Sequence, residues 1–325
     1  MNVAIVGCGL IGTKRAKYLS NLGARLTWCI DSNREMAEKL AYSYGGRTHD
    51  NLLDILIAHG DSIDVVFVAT PHKYLAPFAQ EALSFGKHVF IEKPGAIKSR
   101  DLLQIEKYAL KKNLKVRIGY NHNYHPAFLK AFEKINTSEI GDVMYINALY
   151  GHGGAHLEKG SWRTDRDING GGDLIDKGVH LIDLAQNVFL NTFTFGTGKI
   201  QKYYWNQNVE DNAFMLLETT GNKIAFLQTS CTEWKNTFRF SITGTAGKLE
   251  INGLGGSYGT ETLTTTLLRS GEIKPSVVTE EFLDEDNSWE LEMRDFFLGI
   301  HRNRLTNIKT AYETLKIVEV IYANR

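Results

Sequence analysis

The chain has 325 residues, 43% of them hydrophobic and 23% charged, and its formal net charge is zero. That length exceeds what one hydrophobic core usually supports, so two domains are expected. The charge balance gives no electrostatic footing for nucleic acid or an anionic membrane surface, and no apolar run approaches the length of a membrane span.

Met1-Asn2 leads straight into an apolar strand with no basic n-region, so no secretion signal is expected. Through about residue 120, short apolar runs alternate with amphipathic stretches. The runs are Val3–Val6, Leu26–Ile30, Val65–Ala69, Val89–Ile91 and Val116–Ile118. Their continuous, β-branched apolarity suits strands buried on both faces of a parallel sheet. Helical patterns fill the gaps at Leu10–Leu22, Arg34–Tyr44, Leu52–His59, Tyr74–Phe85 and Asp101–Lys112. Gly23 and Gly86 fit helix C-termini, and Ser99 fits an N-cap. This alternation predicts a doubly wound α/β domain over residues 1–120.

Residues 121–325 read as a second, α+β domain. A helix is expected from Pro126, a strand over Val143–Tyr150, and a helix over Asp173–Phe189 after a glycine-rich entry. From Phe193 to Phe282 strands follow one another, including Ala213–Thr219, Ile224–Thr229, Thr237–Thr243 and Lys248–Ile251. Turn signals at Thr220-Gly221-Asn222 and Thr245-Ala246-Gly247 predict a large, mainly antiparallel open sheet. Two helices close the chain, near Trp289–Arg302 and Lys309–Ala323, and packing of these on the first domain stays open. Cys8, Cys29 and Cys231 are few, odd in number and far apart. They point to reduced thiols in a cytoplasmic protein, with neither a disulfide framework nor a metal site.

Gly7-Cys8-Gly9-Leu10-Ile11-Gly12 follows the first strand and opens the first helix. In that context Gly7 permits the tight turn, Gly9 lets a pyrophosphate approach, and Gly12 lets helix and strand pack closely. The N–H groups at Leu10, Ile11 and Gly12 then face the phosphates. Asp31, 19 residues after Gly12, suits the ribose hydroxyls and would repel a 2′-phosphate, which favours NAD. Arg34 nearby keeps NADP open. Thr70, Pro71 and His72 end the third long strand, on the edge of the sheet where ligands bind.

Glu92-Lys93-Pro94 closes another buried strand. A charged pair there is costly unless it has a task, and the proline fixes the backbone beyond the lysine. Downstream, Gly170-Gly171-Gly172 enters a helix on which Asp176 and His180 stand four apart, on one face. The plain reading makes Asp176 a surface carboxylate and His180 a satisfied core histidine. The glycines argue otherwise, since such a loop lets a ligand approach the backbone.

With Gly7–Gly12, Ala69-Thr70-Pro71, Gly86-Lys87-His88-Val89, Glu92-Lys93-Pro94 and Gly170–Asp183, the chain resembles the Gfo/Idh/MocA oxidoreductases over essentially its whole length. The resemblance implies a Rossmann domain joined to an open-sheet domain, and hydride transfer at a carbinol or carbonyl carbon of a sugar, cyclitol or nucleotide sugar. By position it makes Lys93, Asp176 and His180 the catalytic trio. Glu92 and Asn121 join the cofactor residues. Chemically, a histidine titrating near neutrality suits general acid/base work, a lysine can steady charge on the reacting oxygen, and an aspartate can orient both. The pattern departs from the family in placing Leu75 where a histidine is common and His122 where an arginine is common.

Tyr150, His152, Trp162 and Arg163 look like substrate-pocket residues alongside His122. Two other readings stay open: a non-catalytic dinucleotide and sugar sensor, and an NAD-dependent glycosidase. Phe214, Leu216, Phe226, Leu227 and Phe238 are expected on an open sheet face covered by helices or by a second subunit, so a homodimer or homotetramer is expected.

Overall fold

Continuous apolar runs build the first sheet, since strands without a polar face must be covered on both sides. The computed structural model describes all residues except 155–160, 269–270, 272, 284, 303–306 and 325. They form two units: Met1–Tyr120 with Trp289–Tyr312, and Asn121–Ser288 with Glu313–Arg325.

The first unit begins β1 (Asn2–Val6), α1 (Leu10–Leu19), β2 (Arg25–Ile30), α2 (Arg34–Tyr44), β3 (Arg47–His49) and α3 (Leu52–His59). It continues with β4 (Val65–Val68), α4 (His72–Ser84), β5 (His88–Glu92), α5 (Ser99–Lys112) and β6 (Val116–Gly119). The strands are parallel in the order β3-β2-β1-β4-β5-β6. The order reverses between β1 and β4, the switch point at which such sheets open a crevice at their carboxyl ends. Gly23 takes the left-handed conformation that ends a helix. Ser99 is the first residue of α5 rather than its cap, which is Lys98.

The second unit contains α6 (Pro126–Asn136), β7 (Val143–Gly151) and the short α7 (Arg166–Asn169). A wide π turn, Leu174–Gly178, runs into α8 (Val179–Phe189), so the expected single helix changes pitch at its start. Then come β8 (Phe193–Gln201), β9 (Asn212–Thr219), β10 (Ile224–Ser230), β11 (Thr237–Gly244), β12 (Gly247–Asn252), β13 (Glu261–Leu267) and β14 (Ser276–Phe282). Their order is β14-β13-β12-β11-β7-β10-β9-β8, antiparallel except for the parallel pair β7–β10. The inner face packs on α8 and α6, where Phe128 meets Phe238 and Phe240 edge-on. Leu227 and Phe238 belong to this buried face, against the expectation that they line the open one. Alternation assigns the open face to Tyr145, Leu216, Ile224 and Phe226, which are exposed.

The chain ends with α9 (Ser288–His301) and α10 (Ile308–Ala323). Met293, Phe296 and Phe297 of α9 complete the core of Val3, Ile5, Phe67 and Phe90 in the first unit. Asn307 acts as a false strand residue at the open edge of β6: its amide accepts from Ile118 N at 2.9 Å and donates to Ile118 O at 2.8 Å. That satisfies edge groups which would otherwise invite pairing.

α9 also buries Glu292. Its Oε2 lies 2.8 Å from Arg15 Nη2, close enough for an ion pair but poorly aligned for a hydrogen bond. Burial, opposed by Arg15 and assisted by Glu92, raises the Glu292 carboxyl from 4.5 to about 7. The folded chain therefore holds this proton more tightly than the unfolded chain does. The group's stabilisation is complete below pH 4.5 and is lost as pH rises to about 7, a change of about 3 kcal/mol at about 1.4 kcal/mol per unit. Glu292→Gln should gain urea resistance relative to the parent at pH 8 compared with pH 5. An unchanged difference in urea midpoint between the two pH values would contradict this.

Candidate active site

The glycine loop after β1 is built by close approach. Gly7 has φ +94°, and a Cβ there would stand 2.5 Å from Ala69 O. A Cβ on Gly12 would stand 2.0 Å from Gly7 O, so helix and loop meet only because both are glycine. Gly9 faces open space, and α1 starts there with no side-chain cap and no acidic residue in its first turn. The helix thus offers N–H groups and a positive dipole end at an open surface. Asp31 staples this loop to the end of β2. Its Oδ2 accepts from Cys8 N and its Oδ1 from Asn33 N, both at 2.8 Å. After β4, Thr70 Oγ1 is buried with no hydrogen-bond partner among the described residues, Pro71 stands at the N-cap of α4, and His72 is buried. An open glycine cradle, a fixed carboxylate and an orphaned hydroxyl on one sheet edge fit a dinucleotide.

Asp31→Ala should weaken NAD binding by about 10- to 100-fold, the size of one or two lost charged hydrogen bonds, and NADP binding much less. Titration with both cofactors checks this. An equal loss for both would assign Asp31 to loop shape alone.

At the end of β5 the charges pair differently from their order in the sequence. Glu92 is buried, and its Oε1 accepts from Arg15 Nε at 2.7 Å. The Arg15 guanidinium lies between the rings of Phe90 and Trp289, 4.3 and 4.5 Å from their centroids. Glu92 is therefore committed to a buried network of the fold. Lys93, half-buried, stands at the carboxyl edge of the sheet, followed by a cis peptide to Pro94.

In the second unit the π turn is anchored by Glu210. Its Oε1 accepts from Gly172 N at 2.9 Å, Leu174 N at 3.3 Å and the Tyr322 hydroxyl at 2.6 Å. Burial raises the Glu210 carboxyl, and these donors oppose that. The glycines serve this anchorage. A Cβ on Gly171 would sit 1.9 Å from the Tyr322 hydroxyl, and one on Gly172 would sit 2.0 Å from Glu210 O. Those two approaches are made by the chain itself, which corrects the expectation that a ligand needs the space.

Asp176 is buried on this turn. Lys177 Nζ lies 3.4 Å from its Oδ2, and Arg163 Nε lies 3.6 Å from the same oxygen. The Arg163 guanidinium also covers the Trp162 ring at 4.5 Å. Behind them Lys177 Nζ reaches Asp173 Oδ1 at 3.0 Å. Burial alone would raise the Asp173 carboxyl, but Lys177 and His152 hold it down to about 2. Burial opposes the Lys177 charge, and Asp173 and Asp176 more than offset it, so the ammonium is held up.

His180 follows on α8. Its ring lies 4.0 Å from that of His122 and 6.2 Å from that of Tyr150, which in turn meets Tyr258 at 5.5 Å. These contacts join His122, Tyr150 and His180 into one buried-to-surface wall. Asn121 is buried, donating to Ser288 Oγ at 3.0 Å while His122 Nδ1 sits 3.3 Å from its Oδ1. Its amide thus holds the His122 turn, whatever else it meets.

Among the described residues, His152, Asp173 and Cys231 bring potential metal-ligand atoms within 4.8 Å of one another. The chemistry there favours a hydrogen-bonded cluster. His152 Nδ1 accepts from Gly154 N at 2.8 Å, so the neutral ring carries its proton on Nε2. Nε2 faces Asp173 Oδ1 and Cys231 Sγ, both at 3.6 Å. Burial keeps the imidazole neutral and pushes the Cys231 thiol up, and Lys177 already supplies the cation.

Sequence reasoning missed Asp173, Lys177 and Glu210. The Asp173/Lys177 spacing of four was visible, but that pattern ordinarily marks a solvated helix face. Only the fold shows it buried.

Two family profiles match. Residues 1–120 match an oxidoreductase family with an NAD-binding Rossmann fold, and residues 128–250 match the Gfo/Idh/MocA C-terminal domain. The chain belongs to the Gfo/Idh/MocA family. It is similar to glucose-6-phosphate 3-dehydrogenase of Bacillus subtilis, with 29% identity over 59% of this chain and 54% of that protein. The chain thus spans about half the length of that relative. It is also similar to D-glucoside 3-dehydrogenase of Escherichia coli, with 26% identity over 71% of this chain and 70% of that protein. In fold it matches levoglucosan dehydrogenase in complex with NADH, with a TM-score of 0.89 at 19% identity, covering 99% and 96% of the two chains. Like other Gfo/Idh/MocA proteins it carries an NAD-binding Rossmann domain, and no helix among the described residues is long and apolar enough to cross a membrane.

Proposed function

We propose that this Gfo/Idh/MocA protein transfers a hydride between NAD and a secondary alcohol or ketone carbon of a sugar, cyclitol or nucleotide sugar. The observation that carries this reading is the matched pair of family domains, one with an open glycine cradle and one with Asp176 and His180 buried on one stretch. In this reading the bound cofactor accepts or returns the hydride. Lys93 donates a hydrogen bond to the reacting oxygen, His180 exchanges its proton, and Asp176 orients the exchange. His122, Tyr150, Trp162 and Arg163 supply the ring and hydrogen-bonding surface that a polyhydroxylated ligand needs. His152 acts from behind, through Asp173.

The test is formation of NADH from NAD with a panel of glucosides, sugar phosphates, cyclitols and nucleotide sugars. The panel begins with glucose-type rings, for which the two curated relatives are named. Turnover of at least one class is expected. NAD binding without turnover of any member would favour a sensor, and bond cleavage without net NADH would favour a glycosidase.

We also propose that a second copy covers the open sheet face of Tyr145, Leu216, Ile224 and Phe226. Light scattering should give a dimer or tetramer, and Phe226→Glu should shift it towards monomer. A monomeric parent at micromolar concentration would refute this.

A further inference from the structure

Lys177 is buried next to the proposed catalytic aspartate and has no part in the chemistry described so far. Burying an ammonium is costly, and one carboxylate would suffice to balance it. Here two carboxylates converge on it. Asp173, 1% exposed, holds Nζ from one side at 3.0 Å, and Asp176 Oδ2 lies 3.4 Å away on the other. Arg163 Nε approaches the same Oδ2 at 3.6 Å. Glu210, itself held by Tyr322, anchors the stretch at Gly172 and Leu174, on either side of Asp173, so the arrangement is held at its N-terminal end.

We infer that Lys177 is a positioning residue for Asp176: pinned by Asp173, its ammonium clamps Oδ2 against Arg163 and fixes the plane of the carboxylate toward the substrate. The inference rests on the proposed hydride-transfer function and deepens it. An ammonium held by Asp173 cannot follow Asp176 if that side chain rotates. The carboxylate is therefore tied to a fixed point and not to another flexible group. Catalysis is sensitive to such placement, because the oriented group must already be in place when charge develops. The inference also accounts for the chain's use of Asp173 and Lys177 in place of an apolar pair of similar volume, which would stabilise the turn as well or better.

Three variants test it, each assayed for NAD affinity, urea midpoint, kcat and KM on whichever sugar the parent oxidises. Lys177→Met should lower kcat by about 10- to 100-fold, the effect of one lost hydrogen bond to a charged group, with KM and NAD affinity within about threefold of the parent. Lys177→Arg should keep most of kcat. The double variant Lys177→Met with Asp173→Leu removes the unpaired buried carboxylate that the single variant leaves, so its urea midpoint should recover while kcat stays low. A double variant with parental kcat would reduce the pair to a prop of the fold and overturn the inference. A single variant that raises KM at unchanged kcat would overturn it too, making Lys177 a substrate-binding group. A parent chain that binds NAD and oxidises no sugar in the panel overturns the functional reading itself, and this inference with it.

Discussion

Lys93→Met is expected to lower kcat by roughly a hundred- to a thousandfold, the cost of removing one preorganised donor from a developing oxyanion. The expectation starts from the way β5 ends. Glu92 is drawn inward by Arg15, with 2.7 Å between Oε1 and Nε, so the acidic neighbour is committed elsewhere. Lys93 follows it at the carboxyl edge of the sheet, the edge at which an open α/β sheet binds ligands. Methionine keeps the length and apolar stem of lysine and removes only the ammonium. The loss should therefore fall on kcat and kcat/KM together, as expected for an interaction made mainly in the transition state. NAD affinity should stay within about threefold of the parent, because the pyrophosphate and ribose groups are met by the glycine loop and Asp31. Steady-state kinetics beside a cofactor titration separate the two effects. A variant with parental kcat would remove Lys93 from the chemistry, and one that no longer binds NAD would make it a cofactor anchor.

The N-terminal half of the fold was legible because its signals are local. An apolar strand, a glycine turn and a helix follow one another within Asn2–Leu19, and Gly7 and Gly12 each have a clash that explains them. The strand Arg47–His49 was not legible. It is three residues long at a sheet edge, too short and too polar to show periodicity. On the second sheet the apolar residues were found but not their sides. Phe226 and Leu227 are neighbours on one strand and point to opposite faces, and only pairing with Leu216 and Met215 decides which face is covered. For the site, the sequence pattern singled out Asp176 and His180, but not what surrounds them. Lys177 and Asp173 resemble a solvent-facing pair until the strands bury them. Glu210 lies 38 residues from the Gly172 N–H it accepts, and Tyr322 lies 112 residues from Glu210. No local pattern encodes such contacts.

His180→Asn is expected to lower kcat by about 10²- to 10⁴-fold, the usual contribution of a positioned general acid/base. The ring lies against His122 at 4.0 Å and faces Tyr150, so asparagine fills part of the volume and can still form a hydrogen bond, but it cannot carry the substrate proton at neutral pH. A structural role predicts a different pattern. If His180 only packed the wall, His180→Asn and His122→Phe should do comparable damage, mainly to the urea midpoint. If it moves the proton, His180→Asn should keep the fold and NAD affinity while turnover collapses, and His122→Phe should act chiefly on KM. Chemical rescue gives the sharper distinction. His180→Gly leaves a cavity beside the His122 ring, and added imidazole should restore part of kcat in proportion to its free-base form, because the missing element is a mobile proton acceptor and not a contact. Failure of imidazole to restore turnover in a folded, NAD-binding His180→Gly protein would transfer the proton role to another group. Full activity in His180→Asn would end the assignment outright.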